Sequence, residues 1–71
     1  MSQREREARK KQVNALSRAR AWRGSFEMVR RSVVEAARHF PIAPMQWYQL
    51  RVCHGHDWVE RLQGIVGRPQ L

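Results

Sequence analysis

The stretch SFEMVRRSVVEAARHF, residues 25–40, carries the clearest structural signal in the chain. Its apolar side chains recur at spacings of three and four residues, which place them on one face of an α-helix. Ser25 is a favourable N-cap residue, and Pro41 disfavours helical backbone at the residue before it. We therefore predict an amphipathic helix over residues 26–39. Its core face consists of Phe26, Val29, Val33, Ala36, Ala37 and Phe40.

The segment before this helix, residues 2–23, predicts another helix with a thin apolar face that is mostly alanine. Ser2 followed by Glu5 three residues later forms the pattern of a capping box. Gly24 and Ser25 then interrupt the helical pattern. The predicted inner face consists of Ala8, Gln12, Ala15, Leu16, Ala19 and Trp22.

The segment after the Pro41–Pro44 stretch predicts one long or kinked helix over residues 44–66. Proline is well suited to the first helical turn, and apolar residues stay in phase across Gly55. The alternative is a break near Gly55, because glycine costs about 1 kcal/mol inside a helix and Asp57 with Glu60 resembles a second capping box. The predicted apolar face consists of Tyr48, Val52, Val59, Leu62 and Val66, widened by Trp47, Trp58 and Ile65.

These three segments predict an all-α fold in which three helices form one small domain over residues 1–71. A chain of 71 residues buries only about 60% of its unfolded surface. Completion of the core by a homodimer is therefore part of the prediction. The N-terminal helix, within residues 1–23, is expected to fray at its first turns or to extend from the core.

Positive charge is concentrated at the N-terminal end of the chain. The formal net charge is +8, and residues 1–23 contribute eight basic and two acidic side chains. Such an asymmetry is typical of a protein that contacts an anionic partner. The candidate contact residues are Arg6, Arg9, Lys10, Lys11, Arg18 and Arg20.

The charge pattern supports two functional hypotheses. The first is a non-enzymatic accessory or regulatory protein that binds the phosphates of DNA or RNA through its N-terminal helix. The second is a small modulator or inhibitor, of the type that phages and plasmids encode, which docks on an acidic surface of a host protein. Tryptophan is enriched at interfaces, so the candidate interface aromatics are Trp22, Trp47 and Trp58.

Other classes of function find little support. Cys53, His54, His56 and Asp57 form one local cluster without the second, distant ligand pair of most structural zinc sites, so no metal or other cofactor is expected. A helix-turn-helix centred on Gly55 would need a small residue in place of Arg51 and an apolar residue in place of Arg61.

A helical chain this short offers little cleft for catalysis, so we predict no enzyme. No apolar run is long enough to span a membrane, and a single cysteine favours a cytoplasmic protein.

Overall fold

The structure is a computed structural model that describes residues 2–67. These residues form four α-helices and no strand: α1 (Gln3–Ala21), α2 (Phe26–His39), α3 (Pro44–His54) and α4 (His56–Val66). The all-α prediction is therefore confirmed for the described part of the chain. The predicted number of helices is wrong, because the third segment is divided in two.

Helix starts and ends follow the predicted capping residues closely. The Ser2 hydroxyl accepts a hydrogen bond from the backbone N–H of Glu5 at 3.2 Å. The Ser25 hydroxyl accepts one from Met28 N–H at 3.4 Å, so each serine satisfies a donor that has no partner within its helix. Pro44 occupies the first turn of α3. Gly24, with φ of +83°, supplies the left-handed backbone of the turn between α1 and α2.

The break in the third segment occurs at Gly55, which is the single residue between α3 and α4. Its φ of +94° and ψ of 165° lie in a region that is essentially accessible only to glycine. The predicted continuity of one helix over residues 44–66 is therefore wrong. The helix restarts at His56 without a side-chain cap, so Asp57 does not act as the N-cap residue of a second capping box.

The core is shared by all four helices. Helix α2 packs along α1, while α3 packs on α1 and α4 packs on α2. The contacts Gln12–Phe40 and Arg18–Glu35 pair residues in reverse order, so α1 and α2 run antiparallel. Nine apolar side chains within the described residues are buried: Ala15, Leu16, Ala19, Val29, Val33, Ala36, Leu50, Val59 and Leu62.

The buried face of α3 differs from the predicted one. Leu50 lies in the core, whereas Tyr48 and Val52 are 56% and 69% exposed. The prediction that Tyr48 and Val52 face the core is therefore wrong. The prediction for the last segment holds for Val59 and Leu62, which are fully buried on α4, but not for Ile65, which is 39% exposed.

Gln12 on α1 forms hydrogen bonds with the loop between α2 and α3 and with the first turn of α3. Its side chain is almost completely buried, and its amide nitrogen lies 2.9 Å from Pro41 O and 3.0 Å from Gln46 Oε1. Gln46 Nε2 donates back to Gln12 Oε1 at 3.0 Å, and Gln46 Oε1 also accepts from Ala43 N–H. This reciprocal pair fixes the start of α3 against α1.

Replacement of Gln12 by leucine should destabilise the fold by about 1–3 kcal/mol, because it leaves buried polar groups without a partner. Gln49→Leu is the matched control, since Gln49 is exposed on α3 and surface changes usually stay within about 0.5 kcal/mol. Denaturant unfolding of both variants measures the difference. Equal free energies of unfolding for the two variants would contradict the role of Gln12.

Candidate nucleic-acid interface

Helix α1 carries most of the positive charge of the protein. It contains seven basic and two acidic side chains. One face, formed by Gln12, Ala15, Leu16 and Ala19, is buried. Of the six predicted contact residues, five are exposed and Arg20 is half-buried. The helix is thus held to the core along one side and presents cationic side chains around the rest of its circumference.

The six predicted contact residues do not lie on a single face of α1. Each residue advances about 100° around an α-helix, which places Lys11 and Arg18 on the flank next to α2. Arg9 lies on the opposite flank, where its guanidinium carbon sits 4.6 Å from the centre of the Phe40 ring. Lys10 is directed outward between the two flanks. The sequence pattern predicted the basic helix but not the distribution of its basic residues over two flanks and an outer face.

A polar groove lies between α1 and α2. It has a volume of about 360 Å³. Within it, Arg18 Nη2 and Glu35 Oε2 are 2.5 Å apart. The groove brings together two of the predicted contact residues with three residues that sequence reasoning did not assign to a site. Its lining residues are Lys11, Asn14, Arg18, Glu35 and His39.

The basic residues Arg30 and Arg31 of α2 share one acidic partner within their own helix. Glu27 accepts hydrogen bonds from Arg30 and, at 3.2 Å, from Arg31. The hydrogen bond from Arg30 is the main cause that lowers the pKa of Glu27 to about 2, with Arg31 adding to the effect. Glu27 and Arg31 are four residues apart, a spacing that places them on the same side of the helix.

On α1, by contrast, the charge excess is largely unpaired. Among the described residues, Arg18 is the only basic side chain of α1 that forms an ion pair with a carboxylate. The positive field of α1 is therefore directed to solvent rather than cancelled by neighbouring acidic groups.

A smaller recess opens on the other flank of α1, with a volume of about 230 Å³. Arg9 covers one side of it through its contact with the Phe40 ring, and half-exposed Val13 lies beside it. The buried amide pair described above forms its floor, so the polar groups there already have partners. This recess offers one cationic group and an apolar rim rather than a cluster of free donors.

The three tryptophans divide between surface and core. Trp22 follows the last turn of α1 and is 43% exposed. Trp47 and Trp58 are half-buried against the core, where Trp58 packs edge-on against Phe26 with ring centres 5.4 Å apart. Sequence reasoning missed Tyr48 as the exposed aromatic of α3.

An uncharged stripe of apolar side chains runs along the outer face of α3. Met45, Tyr48 and Val52 are spaced at three and four residues, and all are more than half exposed. We call these three residues the α3 stripe. Among the described residues, helix α3 contains no acidic side chain.

The cluster around Gly55 has structural partners of its own. His54 Nε2 lies 2.8 Å from Ala19 O, and its ring stacks on Trp58. His56 Nε2 lies 3.4 Å from Glu60 Oε2 on the exposed side of α4. Cys53 is a half-buried free thiol. Within residues 2–67, no three His, Cys, Asp or Glu side chains are arranged to hold a metal ion.

The connection between α3 and α4 does not have the geometry of a helix-turn-helix. That motif joins its helices by a turn of three or four residues, whereas Gly55 alone separates α3 from α4. In addition, Arg61 is exposed and its guanidinium carbon lies 4.5 Å from the centre of the Phe26 ring. None of the helices in the described residues is long and apolar enough to cross a bilayer.

Comparison with known proteins gave no matching family model, no matching curated protein and no matching solved structure.

Proposed function

We propose that the protein is a small, non-enzymatic nucleic-acid-binding accessory or regulatory protein that contacts phosphates through α1. The observation that carries this proposal is the unpaired charge of α1. Six of its seven basic side chains have no carboxylate partner among the described residues, whereas Arg30 and Arg31 on α2 both pair with Glu27.

Phosphate backbones are the anionic partners that suit this helix best. Its 19 residues extend about 28 Å at 1.5 Å per residue, which is long enough to follow several consecutive phosphates. Arginine, which supplies five of the seven basic groups of α1, forms bidentate hydrogen bonds with phosphate oxygens. Lysine adds point charges that release condensed counterions.

The expected mode of binding is insensitive to base sequence. Readout of bases in a duplex usually requires a helix or ribbon that enters the major groove with several polar side chains aimed at base edges. The described residues contain no helix-turn-helix to do so, and the second half of α1 lies against the core through Gln12, Ala15, Leu16 and Ala19. Affinity then comes from phosphate neutralisation, which typically gives dissociation constants of about 10⁻⁴ to 10⁻⁶ M at physiological salt.

A titration of the protein against random-sequence duplex DNA and duplex RNA over a series of salt concentrations tests the proposal. We expect binding at low salt. The logarithm of the association constant should fall linearly with the logarithm of salt concentration, with a slope of about 0.9 for each DNA phosphate contacted. Changes of base sequence should alter the affinity little. The absence of binding to either duplex at low salt would refute the proposal.

The α3 stripe favours a second candidate, a modulator or inhibitor that binds an acidic protein. Contiguous exposed apolar side chains rimmed by polar groups are typical of protein interfaces. Met45 and Val52 offer neither a positive charge nor a hydrogen-bond donor to a phosphate backbone. In this alternative α1 supplies charge complementarity and the α3 stripe supplies apolar contact. Failure of the duplex titrations would make it the leading candidate. A homodimer stays a prediction, with the α3 stripe as the available surface.

A further inference from the structure

The groove between α1 and α2 differs from the rest of the basic surface because its cationic groups converge. Lys11, Asn14 and Arg18 lie at i, i+3 and i+7 on α1, and His39 faces them from the end of α2. Within residues 2–67, the side chains of Lys11, Asn14 and His39 form no hydrogen bond or ion pair with another group of the protein. The groove therefore holds three polar side chains with unused hydrogen-bonding capacity around one paired arginine.

Glu35 is the acidic member of this groove. Its contact with Arg18 joins α1 to α2, and both side chains are about half exposed, at 51% for Arg18 and 49% for Glu35. Exposed ion pairs contribute little net free energy. An anion that forms more hydrogen bonds with the Arg18 guanidinium can therefore displace Glu35 with little loss of free energy.

We infer that this groove is the site where a backbone phosphate of the nucleic acid binds, and that Glu35 competes with that phosphate for Arg18. The inference rests on the proposed function and assigns it a location. In the free protein Glu35 holds Arg18. In the complex the phosphate oxygens accept hydrogen bonds from Arg18, Lys11 and Asn14, and Glu35 turns toward solvent.

The chemistry of the groove fits a phosphodiester. A bound phosphate presents several acceptor oxygens, and charge-assisted hydrogen bonds from guanidinium and ammonium groups are roughly twice as strong as neutral ones. Asn14 adds an uncharged amide donor, and the His39 ring lies beside it in the groove. Because Glu35 stays on α2 beside the groove after it is displaced, its negative charge still repels the phosphate and limits the affinity.

Glu35→Gln tests the competition, with Glu60→Gln as the matched control. Both variants remove one negative charge, but Glu60 lies on α4 outside the groove. We expect Glu35→Gln to bind random duplex DNA roughly three- to tenfold more tightly than the parent at low salt. Glu60→Gln should gain less affinity than Glu35→Gln, because Glu60 lies outside the groove and the repulsion between charges weakens with distance.

Asn14→Ala tests the groove without any change of charge, with Ser17→Ala as its control on the exposed side of α1. Loss of the Asn14 amide should weaken binding roughly two- to fivefold, whereas Ser17→Ala should bind as the parent does. Helical circular dichroism and thermal melting of all four variants establish that each one is folded.

The outcomes separate this inference from the proposed function. If the parent binds duplex DNA but Glu35→Gln binds no more tightly than Glu60→Gln, the groove is not the phosphate site and the proposed function stands. The same holds if Asn14→Ala matches Ser17→Ala. If neither the parent nor Glu35→Gln binds DNA or RNA at low salt, both the inference and the proposed function are refuted.

Discussion

Val33→Asp should abolish cooperative folding, whereas the same substitution at Val52 should leave the fold intact. Val33 is completely buried on α2 and belongs to the central core, while Val52 is 69% exposed on α3. An unpaired carboxylate in an apolar interior is strongly disfavoured. The expected cost at Val33 exceeds about 4 kcal/mol, which is comparable to the entire stability of a small domain.

Thermal and denaturant unfolding, followed by helical circular dichroism, measure this pair of variants. The parent and Val52→Asp should give sigmoidal transitions with similar midpoints, because surface substitutions usually change stability by no more than about 0.5 kcal/mol. Val33→Asp should show no cooperative transition. A Val33→Asp protein that melts within a degree or two of the parent would show that α2 does not face the core.

The pair also tests the break at Gly55. A continuous helix over residues 44–66 places Val52 on the same face as Val59, in the core. The structure instead buries Leu50 and Val59 and exposes Val52. If Val52→Asp were as destabilising as Val33→Asp, the continuous helix predicted from the sequence would be favoured over the structure.

The sequence was sufficient to predict α1 and α2 because their signals are local. Ser2 and Ser25 cap their helices as predicted, and the buried residues of both helices lie on the predicted faces. The prediction that Trp22 faces the core is wrong, because Trp22 follows α1 and is 43% exposed. Apolar spacing, a capping hydroxyl and a terminating proline or glycine all act within a few residues of one another. Such features do not depend on how the rest of the chain packs.

The third segment could not be predicted from its periodicity alone. Apolar residues occupy two faces of α3, with Leu50 and Trp47 on one and Met45, Tyr48 and Val52 on the other. Only the packing of α3 against α1, fixed by the Gln12–Gln46 pair, decides which of them is buried. The positive φ of Gly55 then permits α4 to start in a new direction.

The candidate site was predicted in part. The excess of charge on residues 1–23 identified α1, and the structure places both Lys11 and Arg18 in the groove. The presence of Glu35 and His39 in the groove was not predicted, although their i,i+4 spacing places them on one side of α2. Their role depends on which side of α2 meets α1, and that is a tertiary property.

Simultaneous replacement of Lys10, Lys11 and Arg18 by glutamine should weaken binding to duplex DNA roughly tenfold to a hundredfold at low salt. Each phosphate neutralised contributes about 0.9 to the slope of the logarithm of affinity against the logarithm of salt concentration. Loss of three contacts should therefore lower the slope by roughly 2.7. The fold should persist, because all three side chains are exposed and the exposed Arg18–Glu35 pair contributes little net free energy.

A second triple variant, Arg30→Gln with Arg31→Gln and Arg38→Gln, separates the location of charge from its amount. It also removes three positive charges, but these lie on α2, where Glu27 already pairs with Arg30 and Arg31. Its salt slope should stay close to that of the parent. Equal losses in the two variants would show that net charge alone drives binding. If the α1 variant bound as tightly as the parent, α1 would not be the surface that contacts phosphate, and its charge would serve only solubility.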